Sequence, residues 1–141
     1  MIVVKKDQVQ PIDVGKLMKV APMEGVTIQW LIHKGVGDER YGHRFAVRLY
    51  TIPPGKSFPT HFHKYVEAVY VLAGKAKFES ESDAHELEEH ELGPGDMIYT
   101  YSDESHAGTV IGNEPVQILC CIDCVDEMTC DPEKQAQAVK I

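Results

Sequence analysis

The sequence predicts an all-β fold, a sandwich or a barrel, and three observations predict it. Short runs rich in Val, Ile, Tyr and Phe recur from residue 26 to residue 122. Turn signals rich in Gly and Pro cut between them. Only the C-terminal tail has helix-forming texture, and no internal repeat or linker interrupts the pattern.

Taken in order, the runs at 26–32, 44–52, 67–72, 75–79, 96–101 and 116–122 read as strands, because β-branched and aromatic side chains suit a half-buried pleated surface. Pro53-Pro54-Gly55 closes the second run and Ala73-Gly74-Lys75 joins the third to the fourth. Gly93-Pro94-Gly95 precedes the fifth, and Gly112-Asn113-Glu114 precedes the sixth. Between the fourth and fifth lies ESESDAHELEEHE, residues 79–91, with seven acidic side chains and two histidines. It reads as a solvated hairpin loop. The rival reading, a weak second cation site on His85 and His90, lacks the rigid supports that ligands need. In the tail, Asp131 can cap and Pro132 can begin a short helix over EKQAQAVK.

A chain of 141 residues with 43% apolar content suits one domain with one core. Its net charge of −8 and pI near 5.3 leave no basic surface for phosphates, so nucleic acid and anionic membrane surfaces are not expected partners. No run approaches the roughly 20 apolar residues of a membrane span, and the first residues lack the apolar centre of a signal peptide. A cytoplasmic location is therefore expected. Cys120, Cys121, Cys124 and Cys130 all fall in the last quarter and are read as reduced thiols. Cys121-x-x-Cys124 with Cys130 could form part of a thiolate metal site, but a fourth partner is missing. The preferred reading is one buried strand cysteine with surface thiols around it.

The chemistry concentrates in PPGKSFPTHFHKYVEAVYVLAGK, residues 53–75. His61, His63 and Glu67 are all odd-numbered, so on one extended strand they project from one face. Two imidazoles and a carboxylate can take adjacent corners of an octahedron and leave positions open. A further ligand must come from elsewhere, and GPGDMIYTYSDESHAGTVIGNEP supplies His106.

These residues resemble the cupin superfamily. Its first motif, G(X)5HXH(X)3-4E(X)6G, is met at every fixed position by Gly55, His61, His63, Glu67 and Gly74. The second, G(X)5PXG(X)2H(X)3N, is met at Gly95 and His106, whereas Tyr101, Asp103 and Val110 stand where Pro, Gly and Asn are usual. A non-glycine at Asp103 implies a strained left-handed turn before His106.

The resemblance covers about residues 46–122. It implies a double-stranded β-helix, or jelly-roll barrel, here expected to carry a short C-terminal helix. It also implies one divalent ion per chain, Fe, Mn, Zn or Ni, on His61, His63, Glu67 and His106. Arg48, Tyr50, Ile98, Tyr99 and Tyr101 lie near the motifs and are candidates to line a substrate pocket. An interior Arg48 needs a carboxylate partner, and a substrate carboxylate is one candidate. His33 and His43 fall in a glycine-rich loop and are expected at the surface. The segment before the barrel is expected to lie over it or over a partner subunit.

The function so implied is a metalloenzyme acting on a small oxygen-rich or carboxylate substrate. A dioxygenase-like reaction is preferred among the oxidoreductase, isomerase, decarboxylase and lyase chemistries that the fold serves. The alternative is a non-catalytic barrel that binds or senses a small molecule. A homodimer is expected, since cupins pair readily.

Overall fold

The computed structural model describes residues 1–81 and 86–141. After a two-residue strand β1 (Ile12–Asp13) and one short helix α1 (Val14–Met18), the chain is almost wholly strand and turn. β2 (Thr27–Ile32), β3 (Phe45–Ile52), β4 (Ser57–His63), β5 (Glu67–Ala73) and β6 (Ala76–Glu81) follow. Then come β7 (Leu87–Leu92), β8 (Met97–Thr100), β9 (Ser105–Val110), β10 (Val116–Asp123) and β11 (Val139–Lys140). One sheet has the order β1-β2-β3-β10-β5-β8 and the other β11-β4-β9-β6-β7, with every pairing antiparallel.

The core lies between the sheets, and the central strand shows the alternation that fills it. On β10, Val116, Ile118, Cys120 and Ile122 are buried while their odd-numbered neighbours are half-buried. Val69 and Val71 of β5, and Ala46, Tyr50 and Ile52 of β3, complete that wall. Gly74 turns β5 into β6 at φ +74, where a Cβ would lie 2.4 Å from the Pro115 carbonyl oxygen. Only glycine fits this approach.

Six expected strands are present as β2, β3, β5, β6, β8 and β10, with small changes at their ends. The described ends of the acidic segment 79–91 pair antiparallel as regular strands rather than loop. Glu79 pairs with Glu89 and Ser80 with Glu88, and the side chains of β7 are almost all exposed. Backbone hydrogen bonding to β6 makes that edge strand despite its composition. His85 lies outside the described residues.

The tail is not an α-helix. It makes a 3-10 turn, Gln135–Ala138, and then β11 pairs with β4 at His63 and Phe62. Asp131 does not cap that turn, whose N-cap is Lys134; its Oδ1 instead accepts from the Glu133 amide at 3.0 Å in a local turn ahead of it. So short a helix is marginal by itself, and pairing with β4 prevails.

The cysteines also differ from expectation. Cys124 and Cys130 form a disulfide with Cα atoms 5.4 Å apart, leaving Cys120 buried and Cys121 half-buried as free thiols. Asp126 explains the closure. Its Oδ1 accepts from the amides of Met128 and Thr129 and from the Thr129 hydroxyl, which folds the segment back on itself. No thiolate site on Cys121 and Cys124 is therefore formed.

Ahead of the barrel, Asp13 caps α1 by accepting from the Lys16 amide and also holds the Gly25 amide. A Cβ on Gly15 would lie 2.2 Å from the backbone of Met23 and Glu24, so glycine permits the α1 turn to lie flat on the next one. His33 and His43 are half-buried rather than exposed. His33 Nδ1 accepts from the Gly35 amide at 3.1 Å, and His43 hydrogen-bonds to the Val36 carbonyl.

Candidate metal centre

His61 and His63 lie on β4 and His106 on the adjacent β9, so all three belong to one sheet, with His61 and His106 as register partners. Glu67 does not share their strand. The chain turns after His63, and Glu67 opens β5 in the opposite sheet. Two bonds take up the backbone at that turn: Asp103 N donates to the His63 carbonyl at 2.8 Å, and Val66 N donates to Asp123 Oδ1 at 3.0 Å. The three histidines thus gather on one sheet, and Glu67 faces them from the other instead of sharing a strand face with His61 and His63.

Each imidazole is held from behind. The Nδ1 atoms of His61, His63 and His106 lie 2.9, 2.8 and 2.9 Å from the carbonyl oxygens of Pro59, Tyr65 and Glu104. A carbonyl only accepts, so each Nδ1 carries hydrogen and each neutral ring keeps its Nε2 lone pair free. Nε2 of His63 and of His106 is buried without a partner. One donor atom from each of the three rings lies within 4.8 Å of the others, so the cluster could hold a metal ion. The ladder between β4 and β9 is irregular between Phe58 and His61, which leaves the Pro59 carbonyl free to hold the His61 ring.

The electrostatics favour neutral rings at His61 and His63. Burial, with His106 beside it, pushes His61 down to about 4. Burial also lowers His63, although Glu67 opposes it. Glu67 has Oε2 at 2.7 Å from the Arg48 guanidinium and 3.7 Å from His63 Nε2, and Oε1 at 4.0 Å from His106 Nε2. Burial would raise its pKa, but Arg48, joined by His63 and His106, overcomes this and holds it down to about 2. Neutral imidazoles facing an ionised carboxylate suit a divalent transition metal.

Arg48 is 1% exposed. Its guanidinium lies 5.4 to 5.6 Å from the ring centroids of Trp30, Tyr50 and Tyr65 and also donates to Cys120 Sγ. Its carboxylate partner is the chain's own Glu67, so no substrate carboxylate is needed to neutralise it.

A cavity of about 60 Å³ adjoins His61, His106 and Glu67. Of the candidate pocket residues, Arg48, Tyr50 and Ile98 border it, and Phe58, Phe78 and Ile118 make its walls apolar. Tyr99 and Tyr101 do not line it; they are 54% and 67% exposed. Tyr99 has the opposite parity to the inward Ile98, and Tyr101 falls beyond the end of β8. Segments outside the motifs supply the rest. Val14, Met18 and Met23 come from the N-terminal segment, and Gln135, Val139 and Ile141 from the C-terminal one. The N-terminal segment does lie over the barrel.

Tyr65 was not singled out in the sequence, yet its ring stacks on His63 at 3.7 Å and its hydroxyl accepts from Gln135 at 2.7 Å. Its place between two motif ligands was the signal. The left-handed turn before His106 is kept without its usual glycine, since Asp103 has φ +63. The turn around it is closed by Glu104, whose Oε2 accepts from Tyr101 N at 2.8 Å.

Comparison with known proteins fits this geometry. A family model described as a cupin domain matches residues 48–122. L-ectoine synthase of Bordetella petrii is 29% identical over 79 residues, 56% of this chain and 56% of that protein, and the enzyme of Bordetella parapertussis is 28% identical. The chain spans just over half the length of these curated relatives. Among solved structures, an oxalate decarboxylase of Lactobacillus farciminis in complex with formate superposes with a TM-score of 0.67 at 19% identity, over 83% of this chain and 31% of that one. KdgF from Halomonas sp. gives 0.66 at 16% identity, over 91% and 98%. At such identities the structural likeness shows the fold, a cupin barrel. The motif histidines, the paired sheets and the matched span together place this chain in the cupin domain family.

Proposed function

We propose that this cupin is a metal-dependent enzyme that holds one divalent ion on His61, His63, His106 and Glu67 and acts on a small ligand beside it. The observation that carries the reading is the set of imidazoles locked through Nδ1, with the buried Nε2 atoms of His63 and His106 unpartnered. A bound ion would supply Lewis acidity or, as Fe(II), one-electron chemistry toward dioxygen. The chain's own part is to hold the rings neutral, to keep Glu67 ionised through Arg48, and to exclude bulk water with the apolar wall. A small apolar chamber suits dioxygen or a short organic group, which supports the dioxygenase-like reading. The oxalate decarboxylases among the structural neighbours act, by name, on oxalate, and one from Bacillus subtilis is described with Mn(II) centres, which supports a small carboxylate substrate.

Elemental analysis of protein purified without an affinity tag tests the site, with about one ion per chain expected. Stoichiometric metal that survives His61→Ala together with His63→Ala sinks it. Oxygen uptake by Fe(II)-loaded protein over a panel of small acids then separates an oxygenase from a lyase or a non-catalytic binder.

A homodimer remains part of the proposal, supported by the exposed Tyr70, Leu72, Met97 and Tyr99 on β5 and β8. Light scattering at several concentrations tests it, and a mass near 15.8 kDa at all of them contradicts it. Among the described residues no helix is long and apolar enough to cross a membrane. The cytoplasmic location expected from composition gives way, in this proposal, to an oxidising compartment, because a Cys124–Cys130 disulfide persists there.

A further inference from the structure

β8 ends one sheet and β7 ends the other, and between these two edges a second cavity of about 190 Å³ opens beside His106. Its floor is a row of register partners. Ser80 of β6 pairs with His106 on one side and with Glu88 of β7 on the other, so these side chains share the inner face of their sheet. Facing them from β8 is Thr100, 4% exposed, which has the same parity as the inward Ile98. Its hydroxyl is buried without a hydrogen-bond partner, as is His106 Nε2.

The charge of this groove is negative. Glu88 and Glu104 line it together with His90, and among the described residues no lysine or arginine does. Glu88 has His90 Nε2 at 3.8 Å, and Glu104 spends one oxygen on the Tyr101 amide. Glu79 also borders the groove, but it is tied to Lys77. Two carboxylates, two hydroxyls and an open imidazole therefore border a space that a small polar molecule can enter.

We propose that this groove binds the ammonium-bearing end of a small ligand at Glu88 and Glu104, with Ser80 and Thr100 as hydrogen-bond partners and its other end at His106. The proposal rests on the metal-site reading only for what happens at that second end. Two interstrand spacings separate Glu88 from His106, about 10 Å between their backbones, so the cationic group sits several bonds from the metal-facing end. Glu88 on the inner row and Glu104 in the turn before β9 select for charge, while the apolar chamber that also borders His106 does not.

Chemical-shift titration of the metal-free protein with butylammonium, and with butyrate as the anionic probe of equal length, tests the groove. Saturable shifts at the amides of Ser80, Thr100 and Glu104 are expected with butylammonium alone. Glu88→Gln with Glu104→Gln should weaken them roughly fivefold while the remaining spectrum stays unchanged. Comparable shifts with butyrate, no saturable shift, or undiminished binding by the double variant would overturn the proposal. Zinc retention measured on the same samples separates the two readings. Butylammonium binding without zinc retention leaves the groove and removes the metal site, and the converse removes the groove alone.

Discussion

Arg48 and Glu67 are ion-paired at 2.7 Å, with their side chains 1% and 12% exposed. They stand on β3 and β5, which flank β10, so the pair bridges the central strand of its sheet. Removing one partner strands a buried charge, whereas removing both charges does not. Arg48→Met should cost roughly 3–5 kcal/mol of stability in the metal-free protein. Adding Glu67→Gln should recover part of that loss. Urea unfolding measures both, and a double variant no more stable than the single one would show that the two groups do not act as a unit.

The metal-free protein should lose stability in acid through His61. Its folded value of about 4 lies below the 6.5 of a free imidazole. The lowered value means that the neutral ring stabilises the fold. This contribution is complete above pH 6.5 and is lost as pH falls from 6.5 toward 4, by an amount on the order of 3 kcal/mol. Glu67, held near 2, stays ionised through this window, and comparison with His61→Gln isolates the imidazole. Parallel pH profiles for wild type and variant would refute it.

Metal should stabilise the fold by mass action. At free zinc one hundred times the dissociation constant, the gain is about 2.7 kcal/mol. His63→Gln with His106→Gln should abolish it. Thermal unfolding with and without zinc reads the difference, and an equal shift in the double variant would move the ion elsewhere.

Reduction of Cys124–Cys130 should destabilise the chain by about 2 kcal/mol, because the bond closes a short loop in the unfolded state. Thiol titration in denaturant should find two thiols before reduction and four after it. Cys124→Ser with Cys130→Ser should unfold like the reduced protein and respond no further to reductant. Four thiols without reduction would remove the disulfide.

Much of the barrel was legible because β3, β5 and β10 are runs of apolar and β-branched residues cut off by Gly and Pro turns. β7 was hidden by its charge, since an edge strand exposed on both faces has no apolar period to show. β9, SHAGTV, was hidden by small residues. Three histidines were legible from motif spacing. The sheet change between His63 and Glu67 was not, because odd-numbered spacing describes one face of a strand as readily as two strands meeting across a cavity. Met18, Met23, Gln135 and Ile141 reach the cavity through tertiary packing of the flanking segments, and no local pattern announces that.

The turn between β4 and β5 carries the donor set from one sheet to the other, with His61, His63 and His106 on one side and Glu67 on the other. An ion gripped by all four would act as a rivet between two plates. Its escape would then require either a broken bond to Glu67 or a momentary parting of the plates, so the residence time of the ion would follow how often the barrel breathes as well as how strongly each ligand binds. Slow exchange of metal would then be a mechanical property of the sandwich, built in where the chain crosses over after His63.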